Sequence, residues 1–288
     1  MNKFIMEENK LFNNIDVNKL ASVLVFCYQN TRYLKENIDS ILKQKYSPIE
    51  IIIRDDGSND FDEEDIKEIK SYIEKNKGDN IVNYIIEKSE INEGGVKNLN
   101  KGMKLSKGKY ILPLECDDCF YDENIVSNIV EFFEKEDYII ATSYEYTCDK
   151  NMNKIKIRFV ENWMRKLLEG NPLKLYLTLC KGNFISGSHL YYTREFINRY
   201  GLYDEDYKQL GDYPKLLSIT RQKCMIGIIE EITICRRGGG ISKDASNYNL
   251  DENRKKDIRS QLHQDLETLK KKEVLPYFEE IEKIISSK

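Results

Sequence analysis

Residues 110–118, Tyr110-Ile111-Leu112-Pro113-Leu114-Glu115-Cys116-Asp117-Asp118, run an apolar segment of strand length straight into a cluster of carboxylates. The apolar part fits a strand covered on both faces of a parallel sheet. Three carboxylates within four residues raise the local negative potential. A hard divalent cation would relieve it: Mn²⁺ and Mg²⁺ favour oxygen ligands, and Mg²⁺ takes few carboxylates together with phosphate oxygens and water. A set this sparse suits a metal–diphosphate complex better than an all-protein cage. A solvated acidic turn is the structural alternative.

The same pattern, a buried strand ending abruptly on polar residues, occurs twice upstream. Ser22 to Cys27 leads into Tyr28-Gln29-Asn30, and Ile49 to Ile53 leads into Asp55-Asp56-Gly57-Ser58. Helical spacing separates the strands. Leu34, Ile38, Ile41 and Leu42 lie within Thr31 to Lys45, and further helices are expected over 63–75, 94–106 and 124–135. Val82 to Ile86 and Tyr138 to Thr142 complete the strands of this half. Alternating strands and helices give βαβ units and a mostly parallel, Rossmann-like α/β sheet with flanking helices. Such sheets bind ligands beyond the carboxyl ends of their strands, where these three polar turns converge. Asp55 to Ser58 taken alone reads equally as a tight turn.

The rhythm breaks after about residue 148. A helix is expected over 162–180, and a strand over 183–192 carrying the small-residue turn Ser186-Gly187-Ser188. A short helix over 194–200 ends at Gly201, and a helix over 212–221 holds Pro214 in its first turn. A strand over 226–235 follows, then a flexible loop from Arg236 to Gly240 and a charged helical segment over 251–288.

Mixed charge with a net of -4 argues against a nucleic-acid partner. No apolar run reaches the roughly 18–20 residues of a membrane span, and MNKFIMEENK lacks the apolar core of a secretory signal. A cytoplasmic protein is expected by default. Seven scattered cysteines are then expected as reduced thiols. The Cys116–Cys119 spacing lacks the second Cys/His pair of a zinc site, since His189 and His263 are the only histidines.

Two further segments offer anion contacts. Asn92-Glu93-Gly94-Gly95 precedes a helix bearing Lys97 and Asn100, and backbone N–H groups at a helix start receive anions. Arg236 and Arg237, on a mobile backbone, would close over a diphosphate. An ordinary helix cap and an ordinary loop are the competing readings. Asp212, at a helix start, reads on spacing alone as a cap.

In order and spacing, these pieces resemble the large family 2 glycosyltransferases of GT-A fold, over roughly residues 21–245. The resemblance rests on Val23 to Asn30, Gln44, Ile51 to Ser58, Asn92 to Gly108, and Leu114 to Asp118 as the D-x-D metal motif. It continues in Phe184 to Ser188, Gly201 to Asp204 and Gly211-Asp212. It implies an N-terminal arm (1–20), a nucleotide-sugar-binding half (21–150), an acceptor-binding half of the same domain (151–245) and a helical C-terminal tail (246–288). It implies that Tyr28 packs near the nucleobase, that Asp56 hydrogen-bonds it, and that Asp117 lies near the ribose. Asp118, with Asp117, would hold Mn²⁺ or Mg²⁺, and Asp212 would be the general base. Asn30, Gly57, Ser58, Lys97, Arg236 and Arg237 complete the expected nucleotide site.

The implied activity is inverting transfer of a hexose or N-acetylhexosamine from a nucleotide-sugar donor, a UDP-sugar, to a glycan or lipid-linked acceptor in surface polysaccharide synthesis. The sequence departs from the family pattern in four places. Glu115 stands where Asp is frequent, Leu99 where Arg is, and Gly211 where Glu precedes the base. The segment from Arg236 to Ser242 has no His. A nucleotidyltransferase would need a glycine-rich loop after the first strand, which Tyr28 to Arg32 lacks. An inactive nucleotide-binding module is the third reading, and the joint presence of Asp56, Asp117, Asp118 and Asp212 speaks against it. The basic, partly apolar tail either packs on the catalytic domain or makes peripheral contact with the inner, anionic membrane face.

Overall fold

The computed structural model describes residues 15–239 and 250–287. The expected arm thus lies mostly outside the described residues, as do Gly240 to Ser242. Among the described residues, nine strands form one mixed sheet: β1 (Ala21–Cys27), β2 (Ile49–Asp55), β3 (Ile81–Lys88), β4 (Tyr110–Glu115), β5 (Cys119–Phe120), β6 (Ile140–Cys148), β7 (Lys154–Arg158), β8 (Tyr191–Thr193) and β9 (Gly227–Arg237). The order is β3-β2-β1-β4-β8-β6-β9-β5, with β7 paired to β6. β1 is parallel to both β2 and β4, and β2 to β3. β8 pairs antiparallel with β4 and β6.

Alternation of side chains sorts the strand residues on to two faces. Val23, Val25, Ile51 and Ile53 meet Ile38 and Ile41 of α1 (Leu34–Leu42), Ile69 and Ile73 of α2 (Glu63–Asn76) and Ile129 of α4 (Ile125–Lys135). Leu24, Ile52 and Ile111 meet Val96 and Met103 of α3 (Gly95–Leu105), Tyr176 and Leu179 of α6 (Pro172–Leu179) and Leu216 and Leu217 of α8 (Asp212–Arg221). Cover on both sides explains why the strands read as unbroken apolar runs. α5 (Asn162–Leu168), α7 (Arg194–Tyr200), α9 (Glu252–Leu269) and α10 (Phe278–Ser286) complete the helices named here.

Three expectations are corrected. The helix expected over 162–180 is two, α5 and α6, because Asn171 caps a new start with Pro172 at its first position. The strand expected over 183–192 is a loop and a one-turn helix, Gly187–His189, before the three-residue β8. The flexible loop expected from Arg236 begins later, since β9 pairs with β6 as far as Arg237. Among the described residues no helix is long and apolar enough to cross a membrane.

Candidate active site

Register brings the polar turns together. Cys27 lies beside Asp55, and Phe26 beside Glu115, so β1, β2 and β4 end level. Strand order reverses between β1 and β4, and a cleft of about 640 Å³ opens there, within the range of small-molecule sites. It is lined by Tyr28, Asp56, Glu115, Asp117 and Asp118 from the strand ends, and by Asn183 to Ser188 and Asp212 from the second half of the chain.

The acidic turn is held from below. Asn37 of α1 donates to the carbonyls of Glu115 (2.9 Å) and Asp118 (2.7 Å). Asp118 accepts the Arg237 N–H at 2.8 Å, and the Arg237 side chain donates to the Asp117 carbonyl at 3.0 Å. Asp117 and Asp118 are buried. Burial first, and the neighbouring Asp117 charge second, push the Asp118 carboxyl well above its ordinary range. Glu115 opens on to the cleft. Desolvation by the cleft walls, then the Asp117 and Asp212 charges, push it up to about 7. Crowded carboxylates that resist ionisation are what a divalent cation would reverse, so the donor set fits a hard metal. Among the described residues no three His, Cys, Asp or Glu side chains form a cage, so phosphate or water would have to supply the remaining ligands.

Arg236 and Arg237 face the cleft from a strand end and are already engaged. Arg236 Nε bonds both oxygens of buried Glu145, at 2.9 and 3.0 Å. Arg237 stacks 4.1 Å from the Tyr33 ring centroid and bonds Glu36 at 2.6 Å. These are fixed cations, in place of the mobile pair the sequence suggested.

At the opposite end, Asp56 takes N–H groups from Glu93 and Gly94 (each 2.9 Å) and the Asn92 amide (2.8 Å). Burial raises its carboxyl, and the backbone donors oppose the rise. Four expected contact residues do not line the cleft. Lys97 is exposed on α3, whose buried positions are Val96, Asn98, Asn100, Gly102 and Met103. Asn30 is buried, and its Oδ1 accepts from the Tyr28 N–H (3.2 Å) and the Cys116 thiol. Ser58 bonds Asp55 and receives the Gln29 N–H at 2.7 Å. Gly57 sits at φ 77°, where a Cβ would lie 2.6 Å from the Ile91 carbonyl carbon. Asn30, Gly57 and Ser58 therefore build the rim and do not face the cleft.

Asp212 begins α8, half-buried, and is enclosed by the 183–188 loop. The Asn183 amide donates to it at 3.4 Å, and the nearby backbone N–H groups of Tyr213 and Gly187 favour its ionised form. Burial nevertheless leaves its carboxyl raised. Gly187 is required there, since a Cβ would lie 2.9 Å from Asp212 Oδ2. At Gly211 a Cβ would lie 3.2 Å from Tyr203 and 3.3 Å from Val96, a tight fit for any side chain. Trp163, exposed on α5, packs 4.9 Å from Phe184 at the cleft wall.

One residue behind the cleft wall had no sequence signal. Arg254 of α9, 226 positions from Tyr28, bonds the Tyr28 hydroxyl at 2.8 Å and Asn92 Oδ1 at 2.6 Å, and so holds two lining residues without lining the cleft itself. Spacing along the chain carries no trace of such a pair. The tail containing it packs on the catalytic unit through buried Ile258, Asp265 and Leu269. All seven cysteines are free thiols.

The profile of the family described as Glycosyl transferase family 2 matches residues 22–201. A Haemophilus influenzae protein described as an uncharacterized glycosyltransferase is 27% identical over 82% of this chain and 71% of its own length. A Rickettsia typhi protein of the same description is 32% identical over 67% of this chain, which spans only 56% of that relative. Among solved structures, Staphylococcus aureus TarS in complex with UDP-GlcNAc superposes with a TM-score of 0.56 at 16% identity, covering 85% of this chain and 71% of that one. Mannosyltransferase PcManGT from Pyrobaculum calidifontis, in complex with GDP-Man and Mn²⁺, gives 0.55 at 14%, covering 80% and 62%. At such identities the likeness is one of fold. With the profile spanning most of the chain and the D-x-D-like turn at the switch point of a GT-A sheet, the chain belongs to glycosyltransferase family 2.

Proposed function

We propose that the protein is an inverting, metal-dependent transferase that moves a hexose or N-acetylhexosamine from a UDP-sugar to a hydroxyl of a glycan or lipid-linked acceptor in surface polysaccharide synthesis. The observation that carries this reading is one cleft lined by two acidic stations from separate elements, Glu115-Cys116-Asp117-Asp118 at the end of β4 and Asp212 at the start of α8. In-line displacement needs that separation, because a leaving diphosphate and an attacking hydroxyl occupy opposite faces of the sugar.

Asp118, assisted by Asp117, would hold Mn²⁺ or Mg²⁺, which when bound neutralises charge on the leaving nucleoside diphosphate. Arg236 and Arg237 add positive potential beside the same wall. Tyr28 presents a ring, and Asp56 a carboxylate, to the nucleobase. Asp56 serves equally as the post that anchors the 92–94 loop, so its effect on the base combines contact with shaping. Asp212 takes the proton from the acceptor hydroxyl. Its raised carboxyl makes it a stronger base than an ordinary surface aspartate. Trp163 and Phe184 offer flat apolar faces of the kind sugar rings stack on, which supports a glycan acceptor. With a lipid-linked acceptor, exposed Lys256, Lys270 and Lys271 would meet an anionic membrane surface, and co-sedimentation with anionic vesicles at low salt tests that contact.

The direct test is thermal stabilisation by UDP with and without Mn²⁺, followed by UDP release from a panel of UDP-sugars. Stabilisation by UDP that grows with Mn²⁺ is expected. No response to any nucleoside diphosphate would overturn the proposal.

A further inference from the structure

Asp265 lies on α9, beyond the segment matched by the family profile, and is 1% exposed. Its carboxylate receives the backbone N–H groups of three consecutive residues. Lys208 donates at 3.2 and 3.1 Å, Gln209 at 2.7 Å and Leu210 at 2.9 Å. The amide of Gln261, one turn earlier on α9, adds a bond of 3.2 Å. Removing a carboxylate from water is costly unless it is fully hydrogen-bonded, and bonds to an ionised acceptor are the stronger kind. The course of residues 208–210 is therefore set by this one side chain.

That segment delivers Asp212, which starts α8 two residues later. Its other side presses on the nucleotide wall. A Cβ on Gly94 would lie 2.5 Å from Lys208 Cγ and 2.7 Å from the Lys208 carbonyl oxygen. That carbonyl accepts the Val96 N–H at 3.3 Å. The tail thus pins the strip joining the loop that holds Asp56 to the residue that faces the acceptor.

We infer that Asp265 is a positioning residue: from the C-terminal tail, and without touching substrate, it fixes where Asp212 stands in the cleft. This rests on the reading of Asp212 as base. A misplacement of the base by a fraction of an ångström to one ångström lowers turnover by roughly 10- to 100-fold while sparing the donor contacts.

The experiment uses the full chain, with turnover read as UDP release from UDP-glucose and UDP-N-acetylglucosamine, and affinity read with UDP and Mn²⁺. Asp265→Asn removes the charge that strengthens the bonds to the three N–H groups at Oδ2, and sets an NH₂ group against the Lys208 N–H and the Gln261 amide that Oδ1 accepts. We expect kcat to fall at least about tenfold, several times more than donor KM or UDP affinity changes, since the strip also backs the Gly94–Val96 wall, with the circular dichroism spectrum unchanged. In Asp212→Asn/Asp265→Asn the loss should equal that of Asp212→Asn alone, because a residue acting through the base has nothing left to act on. Parental kcat in folded Asp265→Asn, or losses that multiply in the double variant, would overturn the inference. Should Asp265→Asn fail to fold, Asp265→Glu keeps the charge and moves it by one methylene. It should lose kcat by more than donor KM changes, and parental kcat there also overturns it. Near-parental turnover in Asp212→Asn identifies a different failure, that of the base itself, and the inference falls with it.

Discussion

Gly187→Ala tests the base by displacing it without changing any charged group. The added methyl would stand 2.9 Å from Asp212 Oδ2 and 3.0 Å from its Cβ and Cγ, where ordinary contact begins near 3.4 Å. The carboxylate, or the turn, must therefore yield by about 0.5 Å, which also disturbs its weak bond from the Asn183 amide at 3.4 Å. Since a misplacement of about 1 Å costs on the order of a hundredfold, half of that with a weakened hydrogen bond should lower kcat by roughly 10- to 100-fold. Overpacking of this kind costs about 1–3 kcal/mol, a fall in Tm of several degrees, so assays at 20–25 °C still read folded enzyme by order of magnitude. The nucleotide wall lies on other elements, so donor KM and the Mn²⁺-dependent UDP shift should hold. Steady-state UDP release against donor concentration, beside a melting curve, separates these effects. Parental kcat in Gly187→Ala would mean that the position of Asp212 does not matter to transfer.

Asp212→Asn should keep UDP and Mn²⁺ affinity and lose at least about a hundredfold in transfer, the low end of general-base catalysis. Because burial raises the Asp212 carboxyl, the base is protonated and idle below that raised value, so the rate should climb with pH through a limb above the ordinary carboxylate range. Persistence of the limb unchanged in Asp212→Asn would assign it elsewhere. Asp118→Asn should abolish Mn²⁺ enhancement of UDP binding. The folded state holds the proton on Asp118 more tightly than the unfolded chain, so its ionisation above the unfolded value costs stability, and nucleotide-free Asp118→Asn at pH 7 should melt no lower than the parent. Asp56→Ala should weaken UDP and UDP-sugars equally and also lower stability. It strands the N–H groups of Glu93 and Gly94, each at about 1–3 kcal/mol, and a variant with parental Tm would show that the 92–94 loop does not depend on it.

The sequence by itself determined the doubly covered parallel half and the convergence of its polar turns, the acidic one at Glu115 to Asp118 among them; Asp212, which reads on spacing alone as a cap, entered only through the family resemblance. The covered half and the convergence of its turns follow from local periodicity: an apolar run with no polar interruption must be covered on both faces, and the carboxyl ends of neighbouring parallel strands lie together. It misjudged the segments whose form depends on partners far along the chain. Arg236 and Arg237 read as a mobile loop because two arginines before a glycine run carry no strand signal, yet pairing with β6 and the buried Glu145 make them rigid. Lys97 read as a phosphate contact from its nearness to Gly94 and Gly95, but helix phase turns it to solvent. Residues 183–192 read as a strand carrying a small-residue turn, whereas the turn extends over most of the segment, with Gly187 close against Asp212, and the strand is left to 191–193. The tail could be written as a charged helix from its composition. That Arg254 reaches Tyr28, and that Asp265 holds residues 208–210, was decided by the tertiary structure alone, because a side chain's partner across the fold leaves no period in the sequence for any local rule to detect.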